Sequence, residues 1–161
     1  MQKKTIDSKF EVKRGYFGIG IFEGKTISNV GTLWRSAYQL GASFIFTIAG
    51  RYHPQSSDTC KSFKHIPLYQ YDSIEDFFIN GVPGACEIVG IEMGGRNIVG
   101  TCHPERAVYV LGAEDRGLSK EMINACTRLI EIPCVRTASY NVSVAGSIVM
   151  YDRLAKEIRG V

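Results

Sequence analysis

The sequence has no C-x-x-C pair, no H-x-x-x-H pair and only three histidines in 161 residues, so it offers no ligand set with the spacing that zinc sites require. Its five cysteines, Cys60, Cys86, Cys102, Cys126 and Cys134, are an odd number. That argues against a disulfide framework and for buried small hydrophobes in a reducing compartment. No apolar run approaches the ~20 residues of a membrane span. The N-terminal MQKKTIDSKFEVKRG carries lysines with no hydrophobic stretch behind them, so neither an anchor nor a secretory leader is expected and the cytoplasm is the expected compartment. Charge of one sign is scarce too: the net value is +3, which permits contact with a polyanion without requiring it. Repeats and low-complexity tracts are absent. What remains is an ordinary globular composition, 45% hydrophobic and 22% charged, of a length that suits one domain over 1–161.

Tyr16–Phe22 (YFGIGIF) predicts a first strand, and Gly15, Gly18 and Gly20 point to close packing or a bulge there. From Thr26 to Leu40, Val30, Leu33, Trp34, Ala37 and Tyr38 recur at helical spacing, and Gly41 supplies the stop. Ser43–Ala49 follows as a buried strand. Ile88–Met93, Ala107–Leu111 and Leu129–Ile132 are further apolar runs without alternation, as in strands covered on both faces. Helices are predicted over Ser73–Asn80 and Lys120–Cys126. A terminal helix carries Val144, Ile148, Tyr151, Ala155 and Ile158 on one side, for packing within the chain or against a second copy, with Asp152/Lys156 and Arg153/Glu157 as i,i+4 pairs opposite. Strands alternating with helices predict an α/β fold, a mostly parallel sheet with helices on both faces. Chemistry then belongs in loops at the carboxyl ends of the strands. The longest polar stretch, 51–64, contributes Arg51, Lys61 and Lys64, and with Arg35 upstream it forms a basic surface of the kind that meets phosphates.

Several motifs almost match. Gly24-Lys25-Thr26 ends like a phosphate-binding loop, but that motif needs glycine at 19, where Ile19 stands. His103-Pro104-Glu105 and Pro133-Cys134 imitate half of a zinc deaminase signature, yet Thr137 occupies the second cysteine's place. His53, His65 and His103 therefore have structural or surface roles, and no metal is expected. A G-x-S-x-G nucleophile elbow is also missing.

Three segments remain. The first is Ile27-Ser-Asn-Val-Gly-Thr-Leu-Trp-Arg35, with Asn29 six residues before Arg35. The second, Tyr109-Val-Leu-Gly-Ala-Glu-Asp-Arg-Gly-Leu-Ser119, is strand, glycine, acid, glycine and a new helix. In the third, Ile130 to Ala145, Pro133 ends a strand and Ser139-x-Asn141 opens the terminal helix. In this order, from about Gly18 to near the C-terminus, they resemble the three motifs of the SPOUT superfamily, specifically its SpoU-type (TrmH-like) RNA ribose 2'-O-methyltransferases.

The resemblance implies a deep C-terminal trefoil knot, an exception to the usual connection rules, and S-adenosylmethionine bound in it, leaving S-adenosylhomocysteine as product. It implies cofactor contacts from Leu111, Gly112, Glu114, Gly117, Ile132, Pro133, Tyr140 and Asn141. It implies catalytic roles for Asn29, Arg35, Glu114, Ser139 and Asn141, and RNA contacts from Arg35, Arg51, Lys61 and Lys64. Tyr140 stands where the family often has Leu or Met. A homodimer and a tRNA or rRNA substrate belong to the same expectation, with no separate RNA-recognition domain, no metal and no membrane. For Arg35 a phosphate clamp suits the guanidinium better than a general base, because a guanidinium holds its proton too tightly to give it up. On an ideal helix Asn29 and Arg35 sit about 120° apart, so they converge only if Asn29 precedes the helix. Ser139 and Asn141 also fit ordinary N-capping, Glu114 fits an exposed acid beside Arg116, and Gly112 and Gly117 fit plain turn chemistry. The alternatives are a non-catalytic RNA-binding homologue and a methyltransferase acting on a base nitrogen.

Overall fold

Six strands lie side by side in one sheet, all parallel, in the order β3-β2-β1-β5-β4-β6. The structure, a computed structural model, describes residues 15–50, 52, 61–136 and 139–160. Arg51, His53, Cys60 and Thr137 lie outside the described residues, as do Lys3, Lys4, Lys13 and Arg14 of the basic N-terminal segment. The elements are β1 (Tyr16–Phe22), α1 (Ile27–Leu40), β2 (Phe44–Ile48), β3 (Leu68–Tyr71) and α2 (Ile74–Asp76), then β4 (Glu87–Asn97), β5 (Arg106–Leu111), α3 (Lys120–Ala125), β6 (Arg128–Glu131) and α4 (Val142–Arg159).

Alternation along the central strands divides the core in two. Phe17, Ile19 and Ile21 of β1 join Ala107, Tyr109 and Leu111 of β5 on one face, where α1 and α4 cover them. Phe22, Val108 and Val110 face the other way, against Phe44, Phe46, Phe77, Leu118 and Met122. Helices on both faces are thus present. Gly18 and Gly20 lie on the second face, where a Cβ would run into the rings of Phe44 and Phe46. Because pairing with β2 is unbroken from Gly18 to Phe22, these glycines serve close packing and not a bulge.

The structure departs from the sequence expectation in three places and decides a fourth that the sequence left open. β3 is an additional strand, four residues at the sheet edge. The helix expected over Ser73–Asn80 is one α-turn that runs on as a π-helical turn, Phe77–Gly81. β4 continues past Met93 to Asn97, with a register break against β6 between Ile91 and Arg96. In α4 the side buried within the chain is Val142, Ser143, Gly146, Val149, Met150 and Arg153. Val144, Tyr151 and Ile158, from the other side, stand exposed. Gly146 is the reason for this orientation: a Cβ there would collide with Leu33 of α1 and Leu111 of β5. No helix of the described residues is long and apolar enough to cross a membrane.

Candidate functional site

The carboxyl ends of β4, β5 and β6 open into a cleft of about 310 Å³, lined by residues 91–93, 111–117 and 131–145 in part. The loop after β5 forms its floor. Ala113 and Gly117 exchange backbone hydrogen bonds at 3.3 and 2.9 Å, closing a tight loop around Glu114, Asp115 and Arg116. Gly117 adopts φ +66°, a conformation in which side chains other than glycine's are strained. A Cβ at Gly112 would strike the Gly117 backbone, and one at Gly117 would strike the Glu92 carboxylate. The two glycines are therefore needed for the loop to lie this close, a stronger requirement than plain turn chemistry.

Glu92 was not among the sequence candidates. From the end of the straight part of β4 its carboxylate accepts the Leu118 amide at 2.7 Å and the Met93 amide at 3.0 Å, so it fastens the glycine loop to the neighbouring strand. Glu131, also missed, accepts the Gly94 amide at 2.6 Å and holds the bend in β4. The available signal was an acid inside each apolar run, at Ile88–Met93 and Leu129–Ile132, where a solvent-facing charge has no obvious place.

A second set of hydrogen bonds crosses from α4 to the loop. Asn141 caps α4: its Oδ1 accepts the Ser143 amide at 3.0 Å and the Val144 amide at 3.4 Å. Its Nδ2 donates to Asn29 Oδ1 at 3.1 Å, and Asn29 Nδ2 donates to Glu114 Oε1. Thr26 Oγ1 approaches the other Glu114 oxygen at 3.4 Å. Residues 29, 114 and 141, far apart in sequence, thus form one line that ends on the cleft wall, and capping and positioning are both performed by Asn141.

Leu111, Gly112, Glu114, Gly117, Ile132, Ser139 and Tyr140 line the cleft as well. Pro133 is exposed and outside that lining, and its carbonyl accepts the Tyr140 hydroxyl at 3.1 Å. Arg35 lies elsewhere. Asn29 is already inside the first turn of α1, so Arg35, two turns on, is exposed on a different face and outside the cleft lining. Lys61 and Lys64 are exposed on a one-turn 3-10 helix before β3. Cys134 lines the cleft and Cys102 does not.

Among the described residues, the cleft wall carries Glu92, Glu114, Asp115 and Glu131 against one cation, Arg116, a field that favours a positively charged guest. The hydrogen bond from Lys25 at 2.6 Å holds the Asp115 carboxyl below its ordinary range. Among the described residues no group of His, Cys, Asp and Glu is placed to hold a metal ion.

At the opposite end of the sheet lies a second polar cluster, largely buried. Arg153, 2% exposed, donates to the carbonyls of Pro104 and Glu105, to the Tyr109 hydroxyl at 3.1 Å, and pairs with Glu157 at 3.0 Å. Since a guanidinium only donates, the Tyr109 hydroxyl is left to donate to His103 Nδ1 at 2.7 Å, and His103 Nε2–H to Asp152 at 2.8 Å. Burial pushes the Tyr109 phenol up to about 12 and the His103 imidazole below its ordinary value.

The sequence profile of the SpoU rRNA Methylase family matches residues 18–151. No curated protein matches. Solved structures share the fold. The SpoU methyltransferase AviRb from Streptomyces viridochromogenes superposes with a TM-score of 0.80 at 22% identity, over 99% of this chain and 66% of that one. It has also been solved in complex with the cofactor AdoMet. A TrmH/SpoU tRNA modifying enzyme from A. aeolicus gives 0.78 at 20% identity, over 92% and 81%. A protein described by the 2-OH methylation of C/U34 on tRNA gives 0.78 at 20%, over 92% and 99%. This chain spans about two thirds of the AviRb length.

Proposed function

The chain belongs to the SpoU rRNA methylase family, and on that footing we propose that it is an S-adenosylmethionine-dependent methyltransferase acting on a ribose 2'-hydroxyl of structured tRNA or rRNA. The observation that carries this reading is the line Asn141–Asn29–Glu114 ending on a cleft with a glycine-built floor and an acidic wall. The fit to the cofactor is good. Gly112 and Gly117 let the loop fold tightly enough to line the cleft, Leu111, Ile132 and Tyr140 offer apolar walls for an adenosine, and the carboxylates complement a sulfonium and an ammonium. When bound, S-adenosylmethionine supplies a methyl group already activated on sulfur.

The chain's own residues then have only to bind and orient. Glu114 fixes the Asn29 amide, and Asn141 fixes it from the other side, so its plane is set before any substrate arrives. Such positioning is worth several kcal/mol, up to about 7–11 in well-aligned systems. Arg35, exposed on α1, grips a phosphate beside the target ribose and thereby sets the angle of the hydroxyl. Ser139 faces the cleft and completes its polar lining.

Three further features belong to the same proposal. The chain leaves β6 at the sheet edge yet returns to lay α4 over α1 and β5 in the middle, a crossing that suits a trefoil knot. The exposed Val144, Tyr151 and Ile158 of α4 suit a homodimer. Action of this domain in the cytoplasm completes the reading.

The test is transfer of labelled methyl from the cofactor to total tRNA and rRNA, with nucleoside analysis of the product. Label in 2'-O-methylribose that falls with Arg35→Ala supports the proposal. Label in a base overturns the position of transfer. Absence of S-adenosylhomocysteine binding at millimolar concentration favours the non-catalytic homologue.

A further inference from the structure

The face of α1 that carries Arg35 differs in character from the cleft. From Lys61 to Tyr71 the chain holds no acid, and α1 holds none either. What it presents instead is aromatic and basic. The one-turn helix Ser62–Lys64 is fixed from within: Ser62 is fully buried, Ile66 is buried, and the Trp34 indole of α1 donates to the Ile66 carbonyl at 3.1 Å. The His65 amide closes the turn on the Ser62 carbonyl at 3.0 Å. With residues 62 and 66 locked inside, Phe63, Lys64 and His65 are forced outward. Phe63 is 51% exposed. His65 stacks flat on Tyr38 of α1, rings 4.4 Å apart and 19° from parallel. Tyr38 lies one turn beyond Arg35 on neighbouring helix positions, i and i+3.

A single exposed phenylalanine is unremarkable on any protein surface. Here it sits between two lysines, on a pinned turn, two residues before the exposed His65 of a stacked pair, where neither Lys61–Tyr71 nor α1 holds a carboxylate. Resting on the functional reading above, we propose that Phe63 and the Tyr38–His65 pair form a base-stacking platform for an unpaired nucleotide of the RNA substrate, with Lys61 and Lys64 holding the flanking phosphates. Aromatic rings and cations together recognise a polyanion that carries flat rings. An acidic peptide offers the charge alone. Along α1, Tyr38 is nine residues from Asn29, roughly 13 Å at 1.5 Å per residue. The platform therefore holds a nucleotide a few steps from the one whose ribose enters the cleft, and it selects RNA whose target lies in a loop or flipped segment.

The experiment compares binding of a fluorescein-labelled uridine 20-mer with that of a ribose-phosphate 20-mer lacking bases, by anisotropy at fixed salt. The native protein is expected to prefer the uridine strand about tenfold. Phe63→Ala brings that ratio close to one, Phe63→Leu does the same, and Phe63→Trp restores it. Lys64→Ala weakens both strands equally and lowers the salt dependence. Cofactor binding is unchanged in all four variants. A native protein that binds RNA and prefers bases equally in Phe63→Leu overturns the platform while leaving the methyltransferase reading intact. Binding of neither strand, nor of total tRNA, overturns both. Preference for anionic phospholipid vesicles over either strand assigns the surface to a membrane and overturns the platform.

Discussion

The two ends of α4 solve opposite problems with similar residues. At its C-terminal half, Asp152, Arg153, Lys156 and Glu157 meet His103, Tyr109 and a row of backbone carbonyls, and the cluster is largely buried, with Arg153 at its centre. At its N-terminal end, Asn141 is tied to Asn29 and through it to Glu114, whose carboxylate borders an open cleft. The first network consumes its own hydrogen-bonding capacity and holds α4 against the sheet. The second keeps some in hand, facing solvent. Polar side chains at a closed end maintain the fold, and those at an open end are available to a ligand.

That contrast breaks or sharpens under substitution. Arg153→Leu should cost the most, about 3–5 kcal/mol of unfolding free energy by denaturant titration, because Glu157, Tyr109 and two carbonyls lose a buried donor. Any folded fraction should still bind S-adenosylhomocysteine. Glu114→Ala reverses the pattern: methyl transfer should fall about 100-fold, or ~2.7 kcal/mol of transition-state stabilisation, with little change in unfolding. Asn141→Ala falls between, losing a helix cap worth about 1 kcal/mol together with the tie to Asn29, so both stability and turnover should drop. The contrast fails if Glu114→Ala unfolds the protein or Arg153→Leu spares it.

The closed end also has a pH signature. Burial lowers the His103 imidazole below its unfolded value, so the folded state resists a proton that the unfolded chain accepts. The stabilisation is complete above about pH 6.5 and is lost as pH falls from there through the folded value. Thermal unfolding of native protein and His103→Gln between pH 7.5 and 5.5 should show the steeper decline in the native protein. The smallest effect is expected from Lys25→Ala. Its pair with Asp115 is half exposed on both sides, so the melting temperature should not move measurably, with or without salt.

Much of this architecture was legible in the sequence because strands covered on both faces are continuous apolar runs, and β1, β2 and β5 were placed to within a residue. β3 was not, since Leu68–Tyr71 is an edge strand with two residues exposed and its signal is diluted by the polar stretch before it. The side of α4 that packs within the chain could not, for a different reason, be chosen from the sequence, which left it open between the chain and a second copy. Hydrophobic weighting favours Val144, Tyr151 and Ile158, whereas helix contact is decided by small residues such as Gly146 and Ser147, whose hydroxyl donates to Ser36 at 2.8 Å. The Arg153/Glu157 pair was legible and is present, but the burial of Arg153 was not, because the carbonyls that satisfy it, at Pro104 and Glu105, are backbone and leave no mark in the residue pattern. In the cleft, the residues of the three motifs could be named beforehand. Glu92 and Glu131 left only the mark of an acid inside an apolar run, because their partners are backbone amides, Leu118 in the loop after β5 and Gly94 in the bend of β4.

The strand order also dictates how the chain comes off the ribosome. β3, β2 and β1 can pair as soon as they emerge, but β4 has neighbours only in β5 and β6, both synthesised later. Until Arg106–Leu111 appears, β1 keeps one side unzipped and the apolar β4 has nothing to join. Nascent chains halted in that interval are natural clients for chaperones, and release of full-length polypeptide should be followed by slow maturation, as expected for a sheet assembled wholly from distant pairings.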